Sequence, residues 1–483
     1  MMTDSSPYKP PEESPETAAE KGFLRGIRRL FARLEVNATV LWAIMTRSWQ
    51  IVAGAVSFFM IASYLSPVEQ GFYAIFWSFI ALQSLMEVGF TIAILNFSSH
   101  EWAQLQLGDD GRIQGSESAL SRLVSLGRIA FLWFGIGALL FIAIAGISGD
   151  LVLSAKSGHR VDWRLTWWTV VGLSALSLWN MPFLTMLEGC GQIQTVYRFR
   201  FFQAVLTNLA VWLSLWYGFG LWTVVVSAGT RLVLELFLVG ISYRRFFEPF
   251  LQSPKSEVLK WRDEIWPMQW RLAVGGGFNY FAVFMFSPIM AYHSLELAGQ
   301  MGMTRQLLMA LQSAAQAWVQ ARVPMFGQLV AKRSFTELDS VFRRLLIVST
   351  LVLLAGGIGF ILFLFGLEHF RPRLASRLLG PVPSAIMLLA MLLFQLPYCQ
   401  TLYLRAHRKE PVMWQTVASN LGIAVGVALL GTWYADTGAA LGHLLAVALI
   451  TVPLIHRVWV RCRHEWHAEP TAAPLEQIPP KST

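Results

Sequence analysis

Residues 39–95 read TVLWAIMTRSWQIVAGAVSFFMIASYLSPVEQGFYAIFWSFIALQSLMEVGFTIAIL. Two apolar runs, 39–63 and 71–95, flank a turn built on Ser66-Pro67, and the whole stretch carries only Arg47, Glu69 and Glu87 as charges. About 20 mostly apolar residues is the length a helix needs to cross a hydrocarbon core of about 30 Å. The stretch therefore predicts two membrane helices joined by a tight turn.

The same pattern recurs at about 124–148, 166–188, 200–217, 220–241, 266–291, 297–323, 344–366, 380–403, 413–433 and 437–456. Hydrophobic residues make up 55% of the chain and charged residues 14%, with a mean hydropathy of +0.50. A soluble chain carries about 25% charged residues, so much of this surface faces something other than water. The class expected is an all-α polytopic membrane protein of about twelve transmembrane helices.

Orientation follows from Lys and Arg. With the N-terminus inside, six of the 38 fall in outer loops (Lys156, Arg160, Arg164, Arg371, Arg373, Arg377). Five more lie within helices (Arg47, Arg231, Arg271, Arg305, Arg322), and the rest fall on the inner loops and tails. That bias places both termini in the cytoplasm. It also accounts for most of the net charge of +9, so nucleic acid is not an expected partner. Cys190, Cys399 and Cys462 fall near the cytoplasmic side, where disulfides are rare, and no spacing predicts a metal site.

Residues 1–20 are rich in Pro, Glu, Ser and Thr and are expected to be a disordered tail. In 21–36, Phe23, Leu24, Ile27, Leu30, Phe31 and Leu34 recur at helical spacing between Lys21, Arg25, Arg28, Arg29 and Arg33. This predicts a basic amphipathic helix on anionic lipids, with a solvated basic linker as the plainer alternative. A longer inner connection, 242–265, divides the chain into a first six-helix lobe (37–241) and a second (266–457), followed by a tail at 458–483. An internal repeat supports the division: Tyr64, Ser66 and Gly71 recur as Tyr292, Ser294 and Gly299, and Ala81-Leu-Gln-Ser84 as Ala310-Leu-Gln-Ser313. Repeats of even helix count run in the same direction, and transporters built this way place substrate between the halves.

Four helices, the first, second, seventh and eighth, carry polar stripes. Arg305, Gln312, Gln316 and Gln320 share one face of helix eight; Arg47, Gln50, Gly54 and Ser57 share one of helix one; Gln83, Glu87 and Thr91 share one of helix two. In helix seven Arg271 precedes Gly275-Gly276-Gly277, a candidate hinge, and Asn279. A charge at bilayer depth costs roughly 2.5 kcal/mol or more, so it faces protein, water or a ligand. Three arginines against the single acid Glu87 predict a basic cavity suited to an anionic ligand such as a diphosphate. The structural alternative, in which these side chains merely bond neighbouring helices, stands for each residue singly. It is the favoured reading for Arg231 and Glu235, four apart on helix six. Glu87 has two readings: structural partner of an arginine, or the group that couples transport to H⁺ or Na⁺. Asp109-Asp110-Gly111 is read as a turn before it is read as a metal-binding pair. His443 stands alone and reads as structural. No catalytic group, metal site or cofactor is expected.

The stretch Tyr64-Leu-Ser-Pro-Val-Glu-Gln-Gly-Phe-Tyr73, followed by Glu87-Val-Gly-Phe90, resembles polysaccharide transporters of the O-antigen flippase type. So does Tyr292 to Arg333, with Ala298-Gly299 opening helix eight and Pro324 near its end. These transporters belong to the multidrug/oligosaccharidyl-lipid/polysaccharide superfamily, which also holds the multidrug and toxin extrusion pumps. The resemblance implies two six-helix lobes with helices one, two, seven and eight around a central cavity. It also implies a flippase of the bacterial inner membrane for a polyprenyl-diphosphate-linked glycan.

In that reading Arg47, Arg271 and Arg305 hold the diphosphate, and Gln50, Gln83, Asn279, Gln312, Gln316 and Gln320 meet sugar or water. Coupling would come from an H⁺ or Na⁺ gradient or the membrane potential. Polysaccharide polymerase or glycosyltransferase proteins are the expected protein partners. The alternatives are a cation-coupled multidrug exporter on the same fold and a non-transporting subunit of a polysaccharide secretion complex.

Overall fold

The computed structural model describes residues 38–87, 89–155, 161–254, 258–320, 322–407 and 411–467. The expected tail at 1–20 and amphipathic helix at 21–36 lie outside the described residues, as does the end of the chain from 468.

Each of the twelve expected apolar segments falls on helix. In order they are α1 (Ala38–Tyr64), a broken second pass of α2 (Pro67–Ile80), α3 (Gln83–Glu87) and α4 (Phe90–Trp102), then α5 (Glu117–Phe141), α6 (Arg164–Leu187), α7 (Ile193–Trp216) and α8 (Trp222–Phe237). The second half holds α9 (Trp266–Phe284) with α10 (Phe286–Ala291), α11 (Leu295–Gln320), α12 (Phe335–Phe370), α13 (Pro381–Ala406), α14 (Met413–Ala446) and α15 (Val452–His467). Among the described residues, six continuous helical stretches are long and apolar enough to cross a membrane, or seven with the bent pass α2–α4. Two of them, Arg164–Trp216 and Met413–His467, have 53 and 55 residues, roughly 80 Å of helix and more than twice a bilayer core. Each breaks in the middle, at Cys190-Gly191 and at Tyr434-Ala435. The second break reverses the chain. A Cβ on Gly442 would stand 2.2 Å from the Gly426 carbonyl, and the Ser419 hydroxyl bonds that of Thr451. By contrast, α11, which carries a polar stripe along its length, is not among these apolar stretches.

The internal repeat has a structural meaning at its serine and glycine positions. Ser66 caps α2: its hydroxyl accepts from Glu69 N–H at 3.2 Å, Glu69 accepts from Ser66 N–H at 2.8 Å, and Pro67 takes the first turn. Ser294 caps α11 in the same way, accepting from Leu297 N–H at 3.0 Å. Gly71 and Gly299 meet where α2 crosses α11, since a Cβ on Gly299 would lie 2.8 Å from the Gly71 nitrogen. Ser-Pro-x-Glu-x-Gly is thus a helix start followed by a close helix crossing.

Asp109-Asp110-Gly111 forms the turn of a small antiparallel hairpin, Leu105–Leu107 with Ile113–Gly115, where Gly111 has φ +78°. The 242–265 connection packs on the first half. Arg122 joins Glu101 at 2.9 Å to Glu264 at 3.0 Å, Leu259 N–H donates to Ser125 at 3.2 Å, and Trp261 lies 5.7 Å from Trp133.

Candidate functional site

The second pass is broken where the site is built. Gly89 has φ +67°, a left-handed conformation that disfavours side chains, so Glu87-x-Gly-Phe90 marks the end of α3 and the restart at α4. Between α2 and α3 the turn at Ala81 frees Gln83 to donate to the Ser174 carbonyl at 2.6 Å. This segment forms one wall of a cavity of about 740 Å³. Thr46 and Gln50 of α1, Gln83, Ser84 and Glu87, Ser177 and Thr185 of α6, Gln203, Thr207 and Asn208 of α7, and Ser227 of α8 line it. Phe284 of α9 closes one side.

The charged groups on this cavity are Glu87, Arg200, Arg231 and Glu235. The Glu87 carboxylate accepts from the Thr91 hydroxyl at 3.0 Å. Arg231 Nε donates to Glu235 at 3.0 Å, and the amide of Gln203 donates to the same carboxylate oxygen at 3.0 Å. Glu235 is buried at 6% side-chain exposure, whereas Arg231 is 59% exposed. Arg200 repeats the arrangement: it pairs with Glu188, which is 12% exposed, and itself remains 44% exposed.

A second cavity of about 430 Å³ shares Trp77 and Phe284 with the first. Its walls are mostly apolar: Tyr73, Ala74, Val283, Phe286, Met303 and Met309. Arg305 stands in it, buried to 8% exposure. One terminal nitrogen donates to the Val283 carbonyl at 2.8 Å, and the guanidinium lies 3.6 Å from the centroid of the Phe286 ring. The other terminal nitrogen is buried with no hydrogen-bond partner among the described residues. A buried unpaired donor on a cation is costly and marks a place where an acceptor belongs. His443 packs edge-on to Phe286 at 5.6 Å, and its Nδ1 is buried with no hydrogen-bond partner among the described residues.

Several sequence expectations are corrected here. The larger cavity is enclosed by α1, α2–α3, α6, α7 and α8, with Phe284 alone from the second half, and not by helices one, two, seven and eight together. Gln50, Gln83 and Glu87 line it; Arg305 lines its neighbour, and Arg47 is not among the residues lining either. Arg47 is exposed on α1, and the side chain of Arg271 lies outside the described residues. Gln312 and Gln316 are half-buried on α11, and Gln320 is exposed and donates to the Tyr398 hydroxyl at 2.7 Å. Asn279 is exposed on α9, which runs unbroken through Gly275, Gly276 and Gly277; the interruption falls at Met285. A glycine run lowers the cost of a bend but does not impose one.

Sequence reasoning missed Arg200 and set Arg231 aside. The signal was present: Arg200, Gln203 and Thr207 follow steps of 3 and 4, the same stripe that singled out the other helices.

No family model matches the chain, and no curated protein matches it. Solved structures do. An inward-facing multidrug resistance MATE family transporter of the MOP superfamily superposes with a TM-score of 0.63 at 12% identity, over 89% of this chain and 100% of that one. An outward-facing MATE family transporter gives 0.53 at 13% identity, over 88% and 96%. The lipid II flippase MurJ, in an inward closed conformation, gives 0.56 at 10% identity, over 88% and 90%. The chain has the fold of these all-helical membrane proteins, as its sequence resemblance implied.

Proposed function

We propose that this protein is a transporter, not an enzyme, that carries a lipid-diphosphate-linked oligosaccharide across the bacterial inner membrane for surface or exopolysaccharide assembly. The observation that carries this reading is the polarity gradient along the two adjoining cavities. The larger offers ten neutral hydrogen-bonding side chains, the kind of wall that sugar hydroxyls need. The smaller is mainly apolar and holds Arg305 with an unpaired buried donor. An amphiphile with a glycan at one end, a phosphate-bearing junction and an apolar tail matches that order. Arg305 then holds the diphosphate, since guanidinium is permanently charged and bonds phosphate in a planar fork.

Movement follows by alternating access, with halves 37–241 and 266–457 rocking about the 242–265 connection and both termini in the cytoplasm. The fold shared with a lipid II flippase supports this direction. A second reading, the cation-coupled exporter, is favoured by Glu87 and Glu235 on the larger cavity. Glu87 is then the H⁺- or Na⁺-coupling group.

A deletion strain tests the proposal. Its lipid extract is expected to accumulate diphosphate-linked glycan facing the cytoplasm, with loss of surface polysaccharide, rescued by wild type and not by Arg305→Ala present at equal membrane levels. Normal polysaccharide with no trapped intermediate, in a strain without a second flippase, would move the assignment to the exporter.

A further inference from the structure

The helices that open the larger cavity at one end of the molecule are plugged at the other. Thr46 and Gln50 line the cavity from the N-terminal part of α1, and Gln203 and Thr207 from that of α7. The last turns of both helices enter an apolar cluster instead. Phe58 and Ile61 of α1 and Leu215 of α7 pack there with Met303 of α11, Leu364 of α12 and Leu378, so the cluster joins the two halves. Leu378 belongs to the connection 371–380 between α12 and α13. On its own half this connection is fastened to α11: the buried Thr304 hydroxyl accepts from Leu379 N–H at 2.9 Å, and the Gln300 amide donates to the Ser376 carbonyl at 3.0 Å. On the other half it is held by α2, where the amide of Gln70, 2% exposed, donates to the Arg377 carbonyl at 2.9 Å. Beside this bond α2 crosses α11 so closely that a Cβ on Gly71 would collide with the Leu295 carbonyl. Gln70 Oε1 and one terminal nitrogen of Arg377 are buried with no hydrogen-bond partner among the described residues. A buried unpaired polar group carries a cost that water removes, so the closed contact holds the halves without making their separation prohibitive.

We propose that the 371–380 connection is a latch. It stays anchored on α11 through Thr304 and Gln300, closes the plugged end by its bond to Gln70 of the first half, and releases at Gln70 when the halves rock apart. This rests on the rocking motion proposed above and on nothing about the substrate. A loop that only joined α12 to α13 has no need of a buried amide from a helix 307 residues away in sequence. The geometry has a second consequence. Grip and anchor act in series, since a connection freed from α11 travels with the first half and one freed from Gln70 travels with the second. Cutting either one uncouples the halves, and cutting both adds nothing, which separates a latch from two independent packing contacts.

The test uses the full-length protein in nanodiscs with no substrate present. Nitroxide labels on Tyr64→Cys of the first half and Phe370→Cys of the second, both exposed at the plugged end, report the gap by double electron–electron resonance. The native Cys190, Cys399 and Cys462 are buried, which leaves labelling to the introduced sites. The protein with no further change is expected to show a dominant short distance and a minor longer one. Gln70→Leu, which cuts the grip, and Gln300→Leu/Thr304→Val, which cuts the anchor, are each expected to raise the ratio of long to short roughly two- to tenfold. The variant combining all three is expected to do no more than either alone. Gln70→Asn, too short to reach the Arg377 carbonyl, replaces Gln70→Leu where the latter does not insert. Unchanged distances in every variant overturn the latch. So do grip and anchor effects that multiply, because contacts acting independently behave that way. Failure of the glycolipid reading leaves all of these distances as they are.

Discussion

Glu235 shows what a single buried carboxylate demands of its surroundings. Its one oxygen accepts from both Arg231 and Gln203, and removing either donor leaves part of a buried charge unpaired. Gln203→Leu is expected to lower the thermal stability of the purified protein by roughly 1–3 kcal/mol. Gln203→Leu/Glu235→Leu, with both partners replaced by apolar side chains, is expected to recover most of that loss. A double variant no more stable than the single one would show that the bond is not structural. Arg305 presents the converse case. Its side chain was legible in the sequence as an ionisable group at membrane depth, and the structure does bury it beside a cavity. What the sequence could not show is that it turns toward Val283 and Phe286, away from the glutamines spaced with it on α11. Helical spacing puts residues on one face, but a long side chain chooses its neighbour within that face.

At the scale of elements, helix starts and crossings carry the readable information. Ser66 and Ser294 each accept a backbone N–H that would otherwise be unsatisfied at a helix end. Ser66→Ala and Ser294→Ala are each expected to cost about 1 kcal/mol in thermal or denaturant unfolding. The α2–α11 crossing tolerates less. Gly299→Val places a Cβ within 2.8 Å of backbone, and backbone cannot move aside as a flexible side chain can. Overpacking of this kind costs about 1–3 kcal/mol or forces the helices apart. The expected outcome is reduced membrane-inserted protein or lost transport; wild-type behaviour of Gly299→Val would show that this crossing opens freely. The turn at Asp109-Asp110-Gly111 and the capping serines were legible because they depend on a few adjacent residues. The interruptions at Gly89 and Met285 were not, since a glycine or a methionine in an apolar run fits straight and broken helices alike. The three glycines of α9 illustrate the same limit from the other side.

Across the whole molecule, the number and order of helices follow from hydropathy, because bilayer thickness sets one dominant length. Which polar faces meet does not follow, and so the cavity drew on α6, α7 and α8 rather than on the second half. The 242–265 connection adds a long-range contact of its own. The Glu264 carboxyl is held below its ordinary value, chiefly by the Lys260 backbone N–H and further by Arg122. A depressed carboxylate contributes stability that is complete above its unfolded value and lost as pH falls through the folded one. Release of the connection from the first half is therefore expected on acidification below the usual carboxylate range, and at neutral pH in Glu264→Ala. Limited proteolysis within 242–265 measures it. The effect is modest, roughly 1 kcal/mol or less, because the pair is only half-buried and solvent screens it. Cleavage that is equally slow at neutral and acidic pH would remove Glu264 from that role.

The central claim, movement of a lipid-diphosphate-linked glycan through the two adjoining cavities, is tested most directly in proteoliposomes. Purified protein is reconstituted with an undecaprenyl-diphosphate oligosaccharide, and its appearance in the opposite leaflet is followed by a membrane-impermeant sugar-oxidising reagent. Wild type is predicted to equilibrate the glycolipid between leaflets, and Arg305→Ala to slow this at least tenfold at equal protein content. Equilibration no faster than in protein-free vesicles, or an Arg305→Ala rate equal to wild type, would contradict the account.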